Sequence, residues 1–464
     1  MAIDTETFPD EMSLPADAPP GPTGVAGGAV LAKLARDPWF TPLELTKKYG
    51  DVVSIPTPFV KTVYMSHPDL IEHVLVKHPD RYRRSDMVSE QMVPPGFGGH
   101  NFFAFSDDEE WRRGRSLYRP HFTQRHLAGL SDLFTESVES QVREWGSIRE
   151  TFDLAERTRE LALVVLFNAV FDEYISERVL QQTEPIARSI MLGTTARVAM
   201  YSLPSWVPRP FQKSTRRGIS SMLAVADHVI ETRRRHPTDR PDVLNLLIGA
   251  TYDDGRPLEN DKIAVELMGL VVGGHETTAA ALAWTFALVA GHPDIERRVV
   301  EEVEALGDGS IGVGDMPKLP LVRACFDEAQ RLQGGLVINP KTAVVDDELG
   351  GYLIRKGTTV LYSSLAMQRD PRFWTEPNEF RPDRFIDGEA DMRAFIPFGR
   401  GKRVCLGMQM AYIEAVLTIA TAFREYKFSI PPGYRPRHQY RMSMGLKGGL
   451  PVTVTPRHPP GWGL

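Results

Sequence analysis

The stretch Phe398-Gly399-Arg400-Gly401-Lys402-Arg403-Val404-Cys405-Leu406-Gly407 sets one cysteine between a glycine-rich turn and an apolar run. Beyond it Leu406, Met410, Ile413, Leu417 and Phe423 recur at spacings that suit one buried helical face. A thiol at a helix N-terminus meets unpaired N–H groups and the positive end of the helix dipole. The reading therefore predicts that Cys405 favours the thiolate. Gly401 and Gly407 are expected to permit a tight turn and the close approach of a flat ligand. Arg403 offers a fixed charge suited to a carboxylate, and Phe398 is placed to shield the sulfur.

These are the requirements for holding a heme iron by one axial thiolate. The stretch resembles the F-x-x-G-x-R-x-C-x-G signature of the cytochromes P-450, at Phe398, Gly401, Arg403, Cys405 and Gly407. A lone cysteine would be read as buried core, but five specified positions are a far narrower pattern than a single motif residue. The resemblance implies a mainly α fold, with a large helical domain around a long central helix and a small β-rich subdomain. It implies heme b (iron protoporphyrin IX) as cofactor and Cys405 as the metal ligand.

The totals agree. The chain has 464 residues, 42% hydrophobic and 25% charged, enough for a large core. A net charge of -6 argues against a nucleic-acid partner. The two cysteines, Cys325 and Cys405, leave no disulfide framework, which fits a reducing, cytoplasmic setting. Cys325 is read as inert core. Residues 1–25 carry Pro15, Pro19, Pro20 and Pro22 and read as a flexible leader; residues 26–464 are taken as one domain, its β-rich parts mainly 50–66, 336–365 and 427–457. No membrane anchor is expected. The apolar run Gly269 to Ala290 could span a bilayer by length, but His275, Glu276, Thr277 and Thr278 in its middle favour a central helix of a globular domain.

That helix is expected from near Asn260 to a stop at Gly291-His292-Pro293. Its centre, Gly273-Gly274-His275-Glu276-Thr277-Thr278, lacks the second histidine of a zinc-protease H-E-x-x-H, since that position is Ala279. It resembles instead the oxygen-activation motif [AG]-G-x-[DE]-T-T of the family. Thr277 can bond back to the Gly273 carbonyl, Gly273 and Gly274 leave room for dioxygen, and Glu276 with Thr277 would pass protons. Trp111 and Arg115, four apart on a predicted helix, resemble the W-x-x-x-R contact to a heme propionate. Glu328 and Arg331 match E-x-x-R, with Arg384 as their partner in a structural trio. Lys341, where the family commonly has Arg, is expected to meet a propionate with a single-point grip.

Further expectations concern the periphery. The loop from Arg84 to Asp108 is expected to close over the substrate. The pocket is assigned to Val272, Gly273, Val337, Ile338 and Met444, whose apolar or small character implies a lipophilic substrate: a terpenoid, steroid, fatty acid or macrolide-like compound. Gln333-Gly334-Gly335 replaces a common proline pair and predicts a more flexible loop. Gln368 stands where a His is common, with no physical account in the sequence. Gly448-Gly449-Leu450-Pro451 reads as a hairpin tip. No flavin or iron–sulfur module is recognised, so electrons are expected from a ferredoxin or other separate donor. That donor would meet Arg112, Arg113, Arg400 and Lys402, and the protein is expected to be a monomer. A peroxygenase or isomerase, or a non-catalytic heme protein, are the alternatives; the Glu276–Thr277 pair argues against both.

Overall fold

The computed structural model describes residues 18–458 except 38–39, 58–59, 86–107, 172–185, 187–188, 191, 195, 198–199, 201–206, 241, 253–254, 335–338 and 441–442. The expected substrate loop thus lies largely outside the described residues. Helices α1 (Gly24–Arg36) and α2 (Thr41–Tyr49) lead into strands β1 (Val52–Ile55) and β2 (Thr62–Met65). Helix α3 (Pro68–Glu72) starts on His67, whose Nδ1 accepts the Asp69 N–H, and runs into a π-turn at His73–Lys77. Strand β3 (Tyr82–Arg84) follows.

The helical body contains α4 (Asp108–Tyr118), α5 (Ser131–Ser147), α6 (Leu154–Phe171, after the short strand β4, Phe152–Asp153), α7 (Gln212–Arg235) and α8 (Val243–Gly249). The Asp242 carboxylate caps α8 through the Asn245 N–H at 2.7 Å. Helix α9 (Asn260–Ala290) is 31 residues long and ends at Gly291, ahead of Pro293, as the stop signals require. It is apolar on nearly all sides because it is enclosed on nearly all sides. It packs against α6, α7, α11 (Pro320–Gln333, after α10, Pro293–Glu304) and α13 (Met408–Glu425, after the short α12, Ser364–Met367). No helix among the described residues is long and apolar enough to cross a membrane.

A five-stranded sheet has the order β1-β2-β8-β5-β3, with β5 (Asn339–Ala343) and β8 (Thr359–Tyr362) inserted between strands from the beginning of the chain. Only the β2–β8 pairing in it is parallel. Strands β6 (Asp347–Leu349) and β7 (Tyr352–Ile354) form a separate hairpin. The sheet has its own apolar core, with Val52, Val63, Met65, Trp374 and Phe395, distinct from the helical core.

Two expectations are corrected here. The described end of the stretch read as a flexible leader is ordered: Pro20 O accepts the Ser54 N–H at 2.8 Å and a helix begins at Gly24, while residues 1–17 lie outside the described residues. Nor is Gly448-Gly449 a hairpin tip. Strand β11 (Met444–Leu446) pairs with β10 (His438–Tyr440), whereas β12 (Pro451–Pro456) pairs with β4 and with β9 (Tyr426–Ser429). The turn hands the chain from one sheet to another. Asp153 Oδ1 fixes it by accepting the Leu450 N–H at 2.7 Å, and a Cβ on Gly449 would overlap that carboxylate.

Candidate active site

The cysteine loop is held by its backbone. Cys405 N–H donates to Phe398 O at 2.9 Å and Val404 N–H to Gly401 O at 3.1 Å. Gly401 has φ 74°, and a Cβ there would lie 2.0 Å from the carbonyl oxygen of Leu75 in the π-turn. The close approach it permits is that of another backbone, not of a ligand. Gly407 has φ −83°, and a Cβ there would enter open space. The Cys405 residue is exposed, although protein atoms crowd around its sulfur. Burial pushes its thiol above the ordinary value, against the weaker pull of the Gly407 N–H and Arg115. The expected bias toward thiolate is therefore corrected. Helix α13 starts only at Met408, and the helix end does not outweigh desolvation of the thiol.

Cations converge beside this loop. Trp111 on α4 is buried, and its ring carries Arg403 at 4.4 Å and Arg115 at 5.6 Å. Strand pairing sets Arg84 opposite Lys341. Burial and the adjacent Arg403 push the Arg84 guanidinium down to about 9. Arg84, Arg115, Lys341 and Arg403 are all half-buried, so the region is strongly basic. The donor set suits a dicarboxylate such as the two propionates of heme. Sequence reading found Trp111, Arg115, Lys341 and Arg403 but missed Arg84, which reaches the cluster only through pairing of distant strands.

On α9, Gly273 is the one exposed residue between Lys262 and Ala290, with Val272, Gly274, Thr277 and Ala280 half-buried around it. Gly273, Thr277 and Ala280 share one face, the most open one in the middle of the helix. Thr277 Oγ1 donates to Gly273 O at 2.8 Å, the expected back-bond. Gly274 does not leave room for dioxygen: a Cβ there would lie 3.0 Å from Leu166 on α6. His275 and Glu276 are buried. Burial, reinforced by the nearby Arg159 charge, pushes His275 down to about 4. Of the remaining pocket residues, Val337 and Ile338 lie outside the described residues. Met444 is buried, and its carbonyl accepts the Trp284 Nε1–H at 2.8 Å.

The expected structural trio is assembled. Arg331 grips Glu328 with two bonds of 2.7 and 2.9 Å, and Arg384 Nε reaches the same carboxylate at 3.2 Å. All three are essentially fully buried. Arg331 also donates to the carbonyls of Gln368, Pro377 and Glu379. Gly334 is buried, with Gln330 filling the place of any side chain, so this part of the Gln333-Gly334-Gly335 loop is tightly packed; Gly335 lies outside the described residues. Among the proposed docking cations, Lys402 is paired with Asp80 at 3.1 Å, while Arg112 and Arg113 are exposed.

The family model for cytochrome P450 matches residues 19–454. The chain is a cytochrome P450. Its curated relatives include the protein designated cytochrome P450 132 of Mycobacterium tuberculosis, 29% identical over 84% of this chain and 87% of that one. Cyclooctat-9-en-7-ol 5-monooxygenase of Streptomyces melanosporofaciens is 26% identical over 97% of this P450 and 98% of the relative. The crystal structure of the cytochrome P450DA heme domain superposes with a TM-score of 0.83 at 24% identity, covering 96% of this chain and 99% of that one. The mainly α fold with small sheets is thus the P450 fold. Members of the family bind heme b and act as monooxygenases, and this P450 is an oxidoreductase of that class.

Proposed function

We propose that this P450 inserts one oxygen atom of O2 into a lipophilic small molecule, with electrons from a separate ferredoxin-type donor. The observation that carries the reading is the opening of α9 at Gly273 and Thr277, between the buried turns 263–271 and 281–287. Heme supplies the binding and reductive cleavage of dioxygen. Cys405 would hold the iron, and Phe398 would limit water at the sulfur. Trp111, Arg115, Lys341, Arg403 and Arg84 would hold the carboxylates. Thr277, its hydroxyl oriented by the Gly273 carbonyl, would place a proton at the reacting oxygen, with Glu276 as its source. Gly407 would let the porphyrin lie against the loop.

Val272, half-buried next to that face, supports an apolar substrate. A terpenoid is the favoured class, since the relatives include cyclooctat-9-en-7-ol 5-monooxygenase and the ferruginol synthase of Isodon rubescens. Arg112, Arg113, Arg400 and Lys402 would meet an acidic ferredoxin, and a cytoplasmic monomer fits this scheme. The test is the reduced, carbon-monoxide-bound spectrum of wild type beside Cys405→Ser, followed by product analysis on a terpenoid panel with a ferredoxin and its reductase. A thiolate-type red-shifted band lost in the variant is expected. A histidine-type band would overturn the assignment of Cys405.

A further inference from the structure

Behind the cysteine loop lies a polar unit that none of the motifs includes. Tyr412, on α13, sets its ring 5.3 Å from that of Phe398, tilted by 49°. Phe398 is the residue whose carbonyl accepts the Cys405 N–H. On its other side Tyr412 donates its hydroxyl to Asp327 Oδ1 at 2.6 Å, the length of a charge-assisted bond. Asp327 belongs to α11. Arg323, one turn earlier on α11, lies 4.7 Å over the Tyr412 ring, with Nε 3.7 Å from Asp327 Oδ2. The Arg323 side chain is 58% exposed, whereas Asp327 and Tyr412 are buried. A solvated cation, a buried carboxyl and two aromatic rings thus form a continuous line to the loop of the thiolate.

We propose that Tyr412 and Asp327 act as a positioning pair that sets the reduction potential of the heme, by backing Phe398 and by placing a titratable charge behind the cysteine loop. The proposal rests on the reading of Cys405 as the iron ligand. Reduction adds negative charge at the iron, so an ionised carboxylate nearby opposes it and a neutral one does not. The groups facing Asp327 are Tyr412 from α13 and Arg323 and Glu328 on its own helix. Burial outweighs the Tyr412 and Arg323 contacts, and Asp327 titrates at about 6. The potential should therefore fall as pH rises through that value.

The experiment is a spectroelectrochemical titration of the heme-loaded protein from pH 5 to 8, for wild type, Asp327→Asn and Tyr412→Phe. Asp327→Asn is expected to match wild type near pH 5 and to hold the higher potential once Asp327 is ionised. Above pH 7 it should favour the ferrous form over wild type by about three- to tenfold at fixed poise. Tyr412→Phe keeps the ring against Phe398 but releases the carboxyl, and should move the midpoint of the pH step upward. An Asp327→Asn profile superimposable on wild type would overturn the proposal. The carbon-monoxide band separates the two readings: its absence from wild type strikes at Cys405, whereas a normal band with unmoved potentials strikes at the pair alone.

Discussion

Gln368 Oε1 accepts the Ile396 N–H at 3.1 Å, while its Nε2 donates to the carbonyls of Gln330 and Arg331 at 3.2 and 3.1 Å. One fully buried amide therefore fastens the end of α11 to the segment that leads into Phe398. A residue with no reading in the sequence is a joint between the E-x-x-R helix and the cysteine loop. Replacing it with Leu strands buried backbone groups, at a cost of about 2–4 kcal/mol. Gln368→Leu should lower the urea midpoint and speed the loss of the red-shifted carbon-monoxide band. A variant with both unchanged would show that the joint is dispensable.

Glu328 answers two buried guanidiniums at once. Glu328→Gln would leave Arg331 and Arg384 without a counter-charge in a dry environment, a loss of roughly 3–5 kcal/mol. Little folded, heme-loaded protein is expected, and the yield of holoprotein per expressed chain reads this directly.

The two glycines flanking Cys405 should behave differently. Gly401→Ala meets the Leu75 carbonyl and a positive φ, and should destabilise the fold with or without heme. Gly407→Ala meets no protein atom. It should unfold at the wild-type urea midpoint when heme-free, yet take up heme more weakly. Equal effects of the two substitutions on the heme-free protein would refute the distinction.

Thr277→Ala removes the hydroxyl that the Gly273 carbonyl orients. Product formed per NAD(P)H consumed should fall by about 10- to 100-fold, with hydrogen peroxide rising in its place, while Thr277→Ser retains most of the coupling. Unchanged coupling in the Ala variant would remove Thr277 from the mechanism.

His275 makes the fold sensitive to acid. Its folded-state value, about 4, lies below the ordinary 6.5, so the unfolded chain binds the proton more readily. Stability falls as pH drops from 6.5 toward 4, by up to ~1.4 kcal/mol per unit from this group. His438, also depressed to about 4 by burial, acts in the same window. Urea midpoints at pH 5 and 7.5 should therefore converge in His275→Asn relative to wild type, though not completely.

Much of this was legible because the signals were local. The Gly291 and Pro293 stop of α9 and the Glu328–Arg331 spacing each fix geometry within a turn or two, and each is found as read. What stayed hidden depends on partners distant in the chain. Arg84 enters the cation cluster only because β3 pairs with β5, and Gln368 acquires a role only when α11 and residue 396 meet around it. Local rules also failed where packing overruled them. Prolines at 19, 20 and 22 masked the start of α1, Leu166 claimed the space beside Gly274, and burial overrode the helix end at Cys405.

The order β1-β2-β8-β5-β3 has a consequence for how the protein is made. Strands β1 and β2 pair with each other, but the second edge of β2 and the one neighbour of β3 come only from residues 339–362. At ordinary rates of translation the early strands emerge roughly 10–50 s before their partners. During that interval β2 and β3 offer unsatisfied backbone edges to any passing chain. Ribosome-bound chains halted between residues 100 and 330 should accordingly be rich clients for nascent-chain chaperones, and become poorer ones once residue 362 has cleared the exit tunnel.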